Sequence, residues 1–343
     1  MNLNDVVETD SLKYTKLHNA LLGQGSYGKV YQAVGPDNNH NYAIKEFYPM
    51  LSSTQSQQNN EKTQKNQFSN IFWMYGLPRS LYQELLVVKE FNHPSLMPIF
   101  DIFVENNVVN IVMPLIKCDL RALFKTNMLL DESQVKRIFL DILEGLDHLH
   151  SNWILHRDLT PGNIFINDQG RAVLADFGLA SIYASQHCFN PKEEVVSLWY
   201  RAPELLFHTD FYQNKIDIWS AGCILAELLS KGNVLFKGDN REDQLAKIFS
   251  ILGTPSVSDG SESDWPYVTS LPDFIFFEYR KKIPLNTIIQ NVNPLAIDLL
   301  EGLLKTNPLK RPSAKETMQH PWFTQQPLPS EHSPIIYKSV SEK

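Results

Sequence analysis

Apolar residues recur along this chain with two different periods. From about Tyr14 to Phe103 they alternate with polar residues in short runs, the period-two pattern of half-buried strands. Lys29-Val30-Tyr31-Gln32-Ala33-Val34 alternates in this way and stops at the turn residues Gly35-Pro36-Asp37-Asn38, and Ala43-Ile44-Lys45 belongs to a second strand. Leu81, Leu85, Val88 and Phe91, three or four apart, predict a single helix over 80–90. From Leu120 onward the period becomes helical. Val135, Ile138, Phe139, Ile142, Leu143, Leu146 and Leu149 fall on one helix face, and 216–229, 244–252 and 295–304 read the same way. A last helix follows Lys310-Arg311-Pro312-Ser313 and ends near His320-Pro321. The expected class is α+β: a small β-rich half with one main helix over about 14–116, and a larger, mostly helical half over about 117–323. A ligand cleft is expected between them.

Three segments fall outside this pattern. Residues 1–13 form an N-terminal extension. The stretch of about 50–77 is a polar insert whose core, Ser52 to Ser69, buries too little apolar area to order itself. It is followed by the apolar cluster Phe72-Trp73-Met74-Tyr75, for which packing on the fold is favoured over docking a partner. Residues 324–343 are polar and contain Pro and Ser, and are expected to be a disordered tail.

Composition narrows the function classes. A chain of 343 residues with 43% apolar content can bury a large core, and its net charge of −7 argues against a nucleic-acid partner. Cys118, Cys188 and Cys223 stand far apart, which suits neither a disulfide framework nor a zinc cluster and fits a reducing compartment. The start carries no secretory pattern. The longest apolar stretch, Ile216 to Leu229, is broken by Asp217, Ser220 and Glu227 and is too short for a membrane span. A soluble protein of nucleus or cytoplasm is expected, with no membrane partner.

Candidate chemistry begins at Gly23-Gln24-Gly25-Ser26-Tyr27-Gly28-Lys29-Val30. Glycines at a hairpin tip let backbone N–H groups approach phosphates. A dinucleotide fold would need a helix directly after them, whereas here a strand follows, and then Lys45, whose side chain can reach the same phosphates. Lys45 needs an anion to hold it. Glu84 on the 80–90 helix is the candidate, with Glu90 as rival. The densest signal is His156-Arg157-Asp158-Leu159-Thr160-Pro161-Gly162-Asn163 followed by Asp176-Phe177-Gly178. Asp158 can take a proton from a hydroxyl, and Asn163 and Asp176 can hold Mg²⁺, which is the set that phosphoryl transfer requires. The spacing suits a loop, a hairpin and a loop.

With these motifs in order, together with Ala202-Pro203-Glu204, Asp217-Ile218-Trp219-Ser220-Ala221-Gly222 and Arg311, the chain resembles the eukaryotic protein kinases over about Tyr14 to Phe323. The resemblance implies the bilobal kinase fold and the use of ATP and Mg²⁺. Within that family it is similar to the cyclin-dependent group. Pro78-Arg79-Ser80-Leu81-Tyr82-Gln83-Glu84 matches that group's cyclin-binding helix signature, Val195-Val196-Ser197-Leu198-Trp199-Tyr200-Arg201 its substrate-binding segment, and Gly253-Thr254-Pro255 and Trp265-Pro266 its C-lobe insert. Ser270-Leu271-Pro272-Asp273-Phe274, Ile283-Pro284-Leu285 and Asn307-Pro308 look most like the catalytic subunit of the CDK-activating kinase. By this likeness a cyclin would dock on Pro78 to Glu90. Met113 would be the gatekeeper, Pro114 and Ile116 would offer hinge groups, and Leu22, Gly23, Gly25, Gly28, Val30, Ala43, Lys45 and Phe165 would surround the nucleotide, with Asp119 near the ribose. Glu204 and Arg311 would form a buried ion pair. Val196 and Arg201 would favour proline after the target Ser or Thr, giving protein substrates with Ser/Thr-Pro and a role in cell-cycle or transcription control.

The pattern breaks at two places. Thr160 stands where the group has a lysine, so one transition-state cation is missing. Lys192 stands where an activating threonine is usual, and Gln83 and Ser181 replace two of the three arginines that would grip its phosphate, leaving Arg157. These changes together suggest ordering by a partner, with Glu193 or Glu194 meeting Arg157. Ser26-Tyr27 and Ser333-Pro334 are possible phosphorylation sites. A pseudokinase scaffold is the alternative that Thr160 supports. A MAP kinase is disfavoured because no Thr-x-Tyr pair occurs between Asp176 and Glu204.

Overall fold

Alternation in the N-terminal half produces an antiparallel sheet of five strands, described here in a computed structural model that covers residues 13–25, 28–35, 40–47, 73–74, 77–78, 81, 84–85, 92–106, 108–116, 118–126, 130–182, 195–209, 211–255 and 264–333. The chain divides into two compact units, one formed by 1–92 with 97–115 and the other by 93–96 with 116–343. The Ser52–Ser69 insert, Lys192 to Glu194, Gln83, Glu90, Cys188 and the Ser26-Tyr27 tip all lie outside the described residues.

In the first unit the strands are β1 (Thr15–Gly25), β2 (Gly28–Val34), β3 (Asn41–Phe47), β6 (Asp101–Glu105) and β7 (Val108–Pro114), in the order β1-β2-β3-β7-β6. A separate two-residue ladder joins β4 (Trp73–Met74) to β5 (Leu77–Pro78). The side-chain period of two sorts the five-stranded sheet into two faces. Ile44 pairs with Val112, and with Ala33 and Phe103 they make one buried cluster, closed by Tyr14 and Tyr42. On the other face Lys45 pairs with Ile111, and Phe47, Ile111 and the helical residue Leu81 form the second cluster, with Leu85, Ile99, Val109 and Met113 packed around it. The residues Leu81, Glu84 and Leu85 are helical, within the span predicted for the helix.

The second unit is built on helices. After α1 (Leu120–Lys125) comes α2 (Glu132–Ser151), started by a capping box between Asp131 and Gln134. Two short ladders follow. β9 (Ile164–Ile166) pairs with β10 (Ala172–Leu174), the hairpin expected between the two catalytic motifs, and β8 (Ile154–Leu155) pairs with β11 (Ser181–Ile182). Next come α3 (Pro203–Leu206) and α4 (Lys215–Leu229), in which every residue from Ile216 to Leu228 is buried. The remaining helices are α5 (Arg241–Leu252), α6 (Leu285–Ile288), α7 (Pro294–Leu303) and α8 (Ala314–Met318).

Residues 324–333 depart from the expectation of a disordered tail. Lys136 is fully buried in α2, and its Nζ donates to Gln325 O at 2.8 Å and Pro327 O at 2.6 Å. Ser330 N donates to Ser133 O at 3.1 Å, and His332 Nε2 lies 2.9 Å from the buried Asp141 Oδ1. A buried ammonium needs acceptors, and the tail carbonyls supply them. This requirement orders a segment whose own composition would leave it loose.

Candidate active site

The glycine hairpin closes on the pair Gly25 and Gly28, after Gly23 pairs with Val30. A Cβ at Gly28 would come 1.7 Å from Glu46 O, so only glycine fits there, whereas a Cβ at Gly23 meets nothing within 4 Å. Leu22 beside it is half exposed. Val30 pairs with Lys45 and Ala43 with Met113, so Val30, Ala43, Lys45 and Met113 share one face of the sheet. That is also the face covered by Leu81. There Lys45 Nζ meets Glu84 Oε2 at 2.7 Å, with both side chains largely withdrawn from water. Glu84, the candidate partner of Lys45, is thus in contact with it. Pro114 ends β7 opposite Tyr42.

In the second unit the buried carboxylate of Asp217 organises the catalytic segment. It accepts from His156 N at 2.9 Å and Arg157 N at 3.0 Å, and His150 Nε2 lies 2.9 Å away. Burial alone would raise its pKa; the hydrogen bond and charge of His150 and the field and backbone bond of His156 outweigh that and hold it below the usual carboxylate range. His156 then links the two motifs. Its Nε2 donates to Ala175 O at 3.1 Å while its Nδ1 accepts from Asp158 N at 3.3 Å. Ala175 N donates to Asn163 O at 2.9 Å, which sets Asp176 next to Asn163.

Asp158 is held on both oxygens. Oδ1 accepts from Ser197 N and Ser197 Oγ, each at 3.1 Å, and Oδ2 accepts from Asn163 Nδ2 at 3.0 Å. Asn163 Nδ2 also donates to Asp158 O at 2.8 Å, so the amide nitrogen is committed and the carbonyl Oδ1 branches away from it. Three non-glycine residues in this region adopt left-handed backbone: Arg157 at φ 66°, Asp176 at 61° and Val196 at 68°. Such conformations cost about 1–3 kcal/mol each and collect at functional sites. Thr160 is buried and extended, and its carbonyl accepts from Asn163 N at 3.0 Å. Asp119 caps α1 by accepting from Ala122 N at 2.6 Å, and its backbone bridges to Phe165, so these two candidates are neighbours, with Ile116 half-buried just before them. Glu204 and Arg311 form the expected buried pair, bidentate at 2.6 and 2.7 Å.

Among the described residues no cluster of three or more His, Cys, Asp or Glu forms a closed metal site. Mg²⁺ usually takes one or two protein oxygens and completes its shell with phosphates and water. Asp176, set next to Asn163 by the Ala175 backbone bond, and Asn163 would supply oxygen ligands of the type Mg²⁺ takes. The bonds of Ser197 and Asp217 to the catalytic segment were not foreseen from the sequence, where both stood only within motifs, since these contacts span 39 and about 60 residues.

The two-unit fold, with a lysine–glutamate pair in the β-rich unit and this carboxylate–amide constellation in the helical one, defines a protein kinase. Residues 17–323 match the protein kinase domain family, and the chain belongs to it. It is 36% identical over 308 residues to cell division control protein 2 homolog 3 of Trypanosoma brucei brucei, covering 89% of this chain and 90% of the relative. It is 33% identical to cyclin-dependent kinase 7 of Xenopus laevis, covering 94% and 85% of the two chains, and 34% identical to cyclin-dependent kinase D-1 of Arabidopsis thaliana, covering 92% and 72%. The protein is a serine/threonine kinase of the cyclin-dependent kinase type, and membership of the family implies ATP and Mg²⁺.

Proposed function

We propose that the protein phosphorylates serine or threonine followed by proline, and that a cyclin-type subunit docked on 78–90 supports the active arrangement. The observation that carries the proline preference is at Val196. Its left-handed backbone turns the carbonyl toward Arg201, whose Nε and Nη2 donate to it at 3.0 and 2.9 Å. A substrate amide N–H arriving there would find this acceptor already used and would be desolvated without a partner, at a cost of about 1–3 kcal/mol. Proline brings no N–H and avoids that cost.

In this reading MgATP supplies the phosphoryl group and the cation that balances its charge. The chain's own residues do the rest. Asp158, fixed by Ser197 and Asn163, aligns the substrate hydroxyl and takes its proton. Asn163 and Asp176 offer the metal-facing oxygens. Lys45, steadied by Glu84, would meet the phosphates; in the first unit Leu22, Gly23, Gly25, Gly28, Val30, Ala43, Met113 and Pro114, and in the second Ile116, Asp119 and Phe165, would be the residues that contact the nucleotide. Thr160 contributes no charge, so turnover is slow for the family by about 10²–10³, the typical loss on removing one preorganised donor. Ser197 is an unsuitable activating phosphosite, since a phosphate there would face the Asp158 carboxylate. Activation by partner contacts in place of phosphorylation is therefore favoured.

The test compares three peptides, Ser-Pro, Ser-Ala and Ser-(N-methyl-Ala). The proposal expects Pro and N-methyl-Ala to be phosphorylated comparably and Ala about tenfold or more less efficiently, as 1.4 kcal/mol would give. Equal use of Ala would refute it.

A further inference from the structure

Lys237 lies in the loop between α4 and α5, shortly before the α5 cap Asn240, and is exposed. Its Nζ stands over the Trp199 ring, 5.2 Å from the centroid. Trp199 belongs to the 3-10 turn Leu198–Tyr200, between Ser197, which bonds Asp158, and Arg201, which holds the Val196 carbonyl. The lysine is therefore set against the segment that the proline reading assigns to the substrate. Its loop is bolted to that segment. Trp199 Nε1 donates to Gly238 O at 2.9 Å. The buried Gln244 of α5 accepts from Gly238 N at 2.8 Å and donates to Phe236 O at 3.2 Å and Trp199 O at 3.4 Å. A Cβ on Gly238 would come 2.5 Å from Gln244 Cα, so the loop lies directly on α5. Both chain neighbours of Lys237 are thus tied down.

The neighbouring cation is already matched: Arg241 meets Asp273 at 2.8 Å and Glu242 at 2.9 Å. Among the described residues the Lys237 ammonium meets the Trp199 ring and no carboxylate. An aromatic face holds a flexible lysine stem in place without neutralising its charge. An ammonium held in this way keeps its positive charge and its N–H donors, and an arriving anion finds part of the side chain's freedom already lost. Resting on the Ser-Pro kinase reading above, we propose that Lys237 is a specificity residue: its ammonium, beside Trp199, receives an anionic side chain of the substrate, a glutamate or a phosphoserine, flanking the target Ser-Pro. An extended peptide advances about 3.3 Å per residue, and Trp199 follows Ser197 by two residues, so the anionic position falls within about four residues of the target. Phosphoserine, carrying nearly two charges, gains more than glutamate.

The test uses the full chain recovered from its native cells with its accompanying subunits, as wild type, Lys237→Ala, Lys237→Glu and Lys237→Arg, with a melting curve for each. The substrates are an otherwise uncharged parent Ser-Pro peptide and sets in which glutamate, phosphoserine or lysine is moved through the flanking positions with the proline kept. Wild type and Lys237→Arg should favour glutamate at one position about threefold in kcat/KM over the parent, and phosphoserine there about tenfold, the range from exposed to closer charge pairs. Lys237→Ala should lose that preference and phosphorylate the parent peptide as wild type does. Lys237→Glu should favour lysine at the same position, a reversal that a merely structural role would not produce. A wild-type profile flat to both anions, or a preference unchanged in Lys237→Ala and Lys237→Glu, overturns the inference and leaves the functional reading standing. Failure of wild type to phosphorylate the parent peptide overturns the functional reading itself, and the inference with it.

Discussion

Replacing Ser197 by alanine tests how the catalytic carboxylate is held. The hydroxyl donates to Asp158 Oδ1 at 3.1 Å, and the Ser197 backbone N–H donates to the same oxygen at the same distance. Alanine removes only the first. A hydrogen bond to a charged group contributes about 1.5–3 kcal/mol when buried. Ser197 is exposed, so solvent compensates part of the loss and about 1 kcal/mol remains, which lowers kcat about fivefold. Thermal stability should stay within about 0.5 kcal/mol, the range of surface substitutions. Threonine at 197 keeps the hydroxyl and should retain activity. In an Asp158→Asn background the same alanine change should add little, because it acts through Asp158. The assay is steady-state phosphorylation of a Ser-Pro peptide with a melting curve for each variant. Full activity in Ser197→Ala, or an equal fall in Ser197→Thr, would refute this account of the segment.

Four further outcomes are expected. Thr160→Lys restores a cation and should raise kcat by about 10²–10³ with KM little changed; an unchanged kcat would mean the charge is already supplied elsewhere. Arg311→Ala leaves Glu204 buried without its bidentate partner and should cost about 3–5 kcal/mol in denaturant unfolding, well above the cost of replacing both residues by apolar ones of similar size. Asp217 has a lowered pKa in the fold, so its stabilisation is present above the ordinary carboxylate pKa and fades as pH falls through that range towards the folded value; the stability gap between wild type and Asp217→Asn should therefore narrow on acidification, and a gap constant with pH would count against it. Truncation after Phe323 removes two acceptors from buried Lys136 and should destabilise by about 3 kcal/mol, with Lys136→Met recovering part of the loss in melting experiments.

Much of the chemistry was legible because it is local. Asp158, Asn163 and Asp176 lie within one short stretch, and the β9–β10 hairpin between them follows from that spacing. Glu84 was legible as the candidate partner of Lys45 from its place on the expected helix, and the 2.7 Å contact between them is the geometry that the sheet face carrying Lys45 and the packing of Leu81 provide. Ser197 and Asp217 stand in motifs that carry the family resemblance, but their bonds to the catalytic segment were not legible, because their partners are remote in sequence. The contacts of residues 324–333 gave no local signal for a similar reason: their composition is polar, but the buried Lys136 that binds their carbonyls sits nearly two hundred residues earlier.

The central claim is that Asp158, Asn163 and Asp176 carry out phosphoryl transfer despite Thr160. Its most direct measurement is single-turnover phosphate transfer to a Ser-Pro peptide by the native complex, comparing wild type with Asp158→Asn and Asp176→Asn. Measurable transfer by wild type, lowered at least about a hundredfold in each variant, is the predicted result. Transfer that survives either substitution, or that wild type lacks altogether, would contradict it.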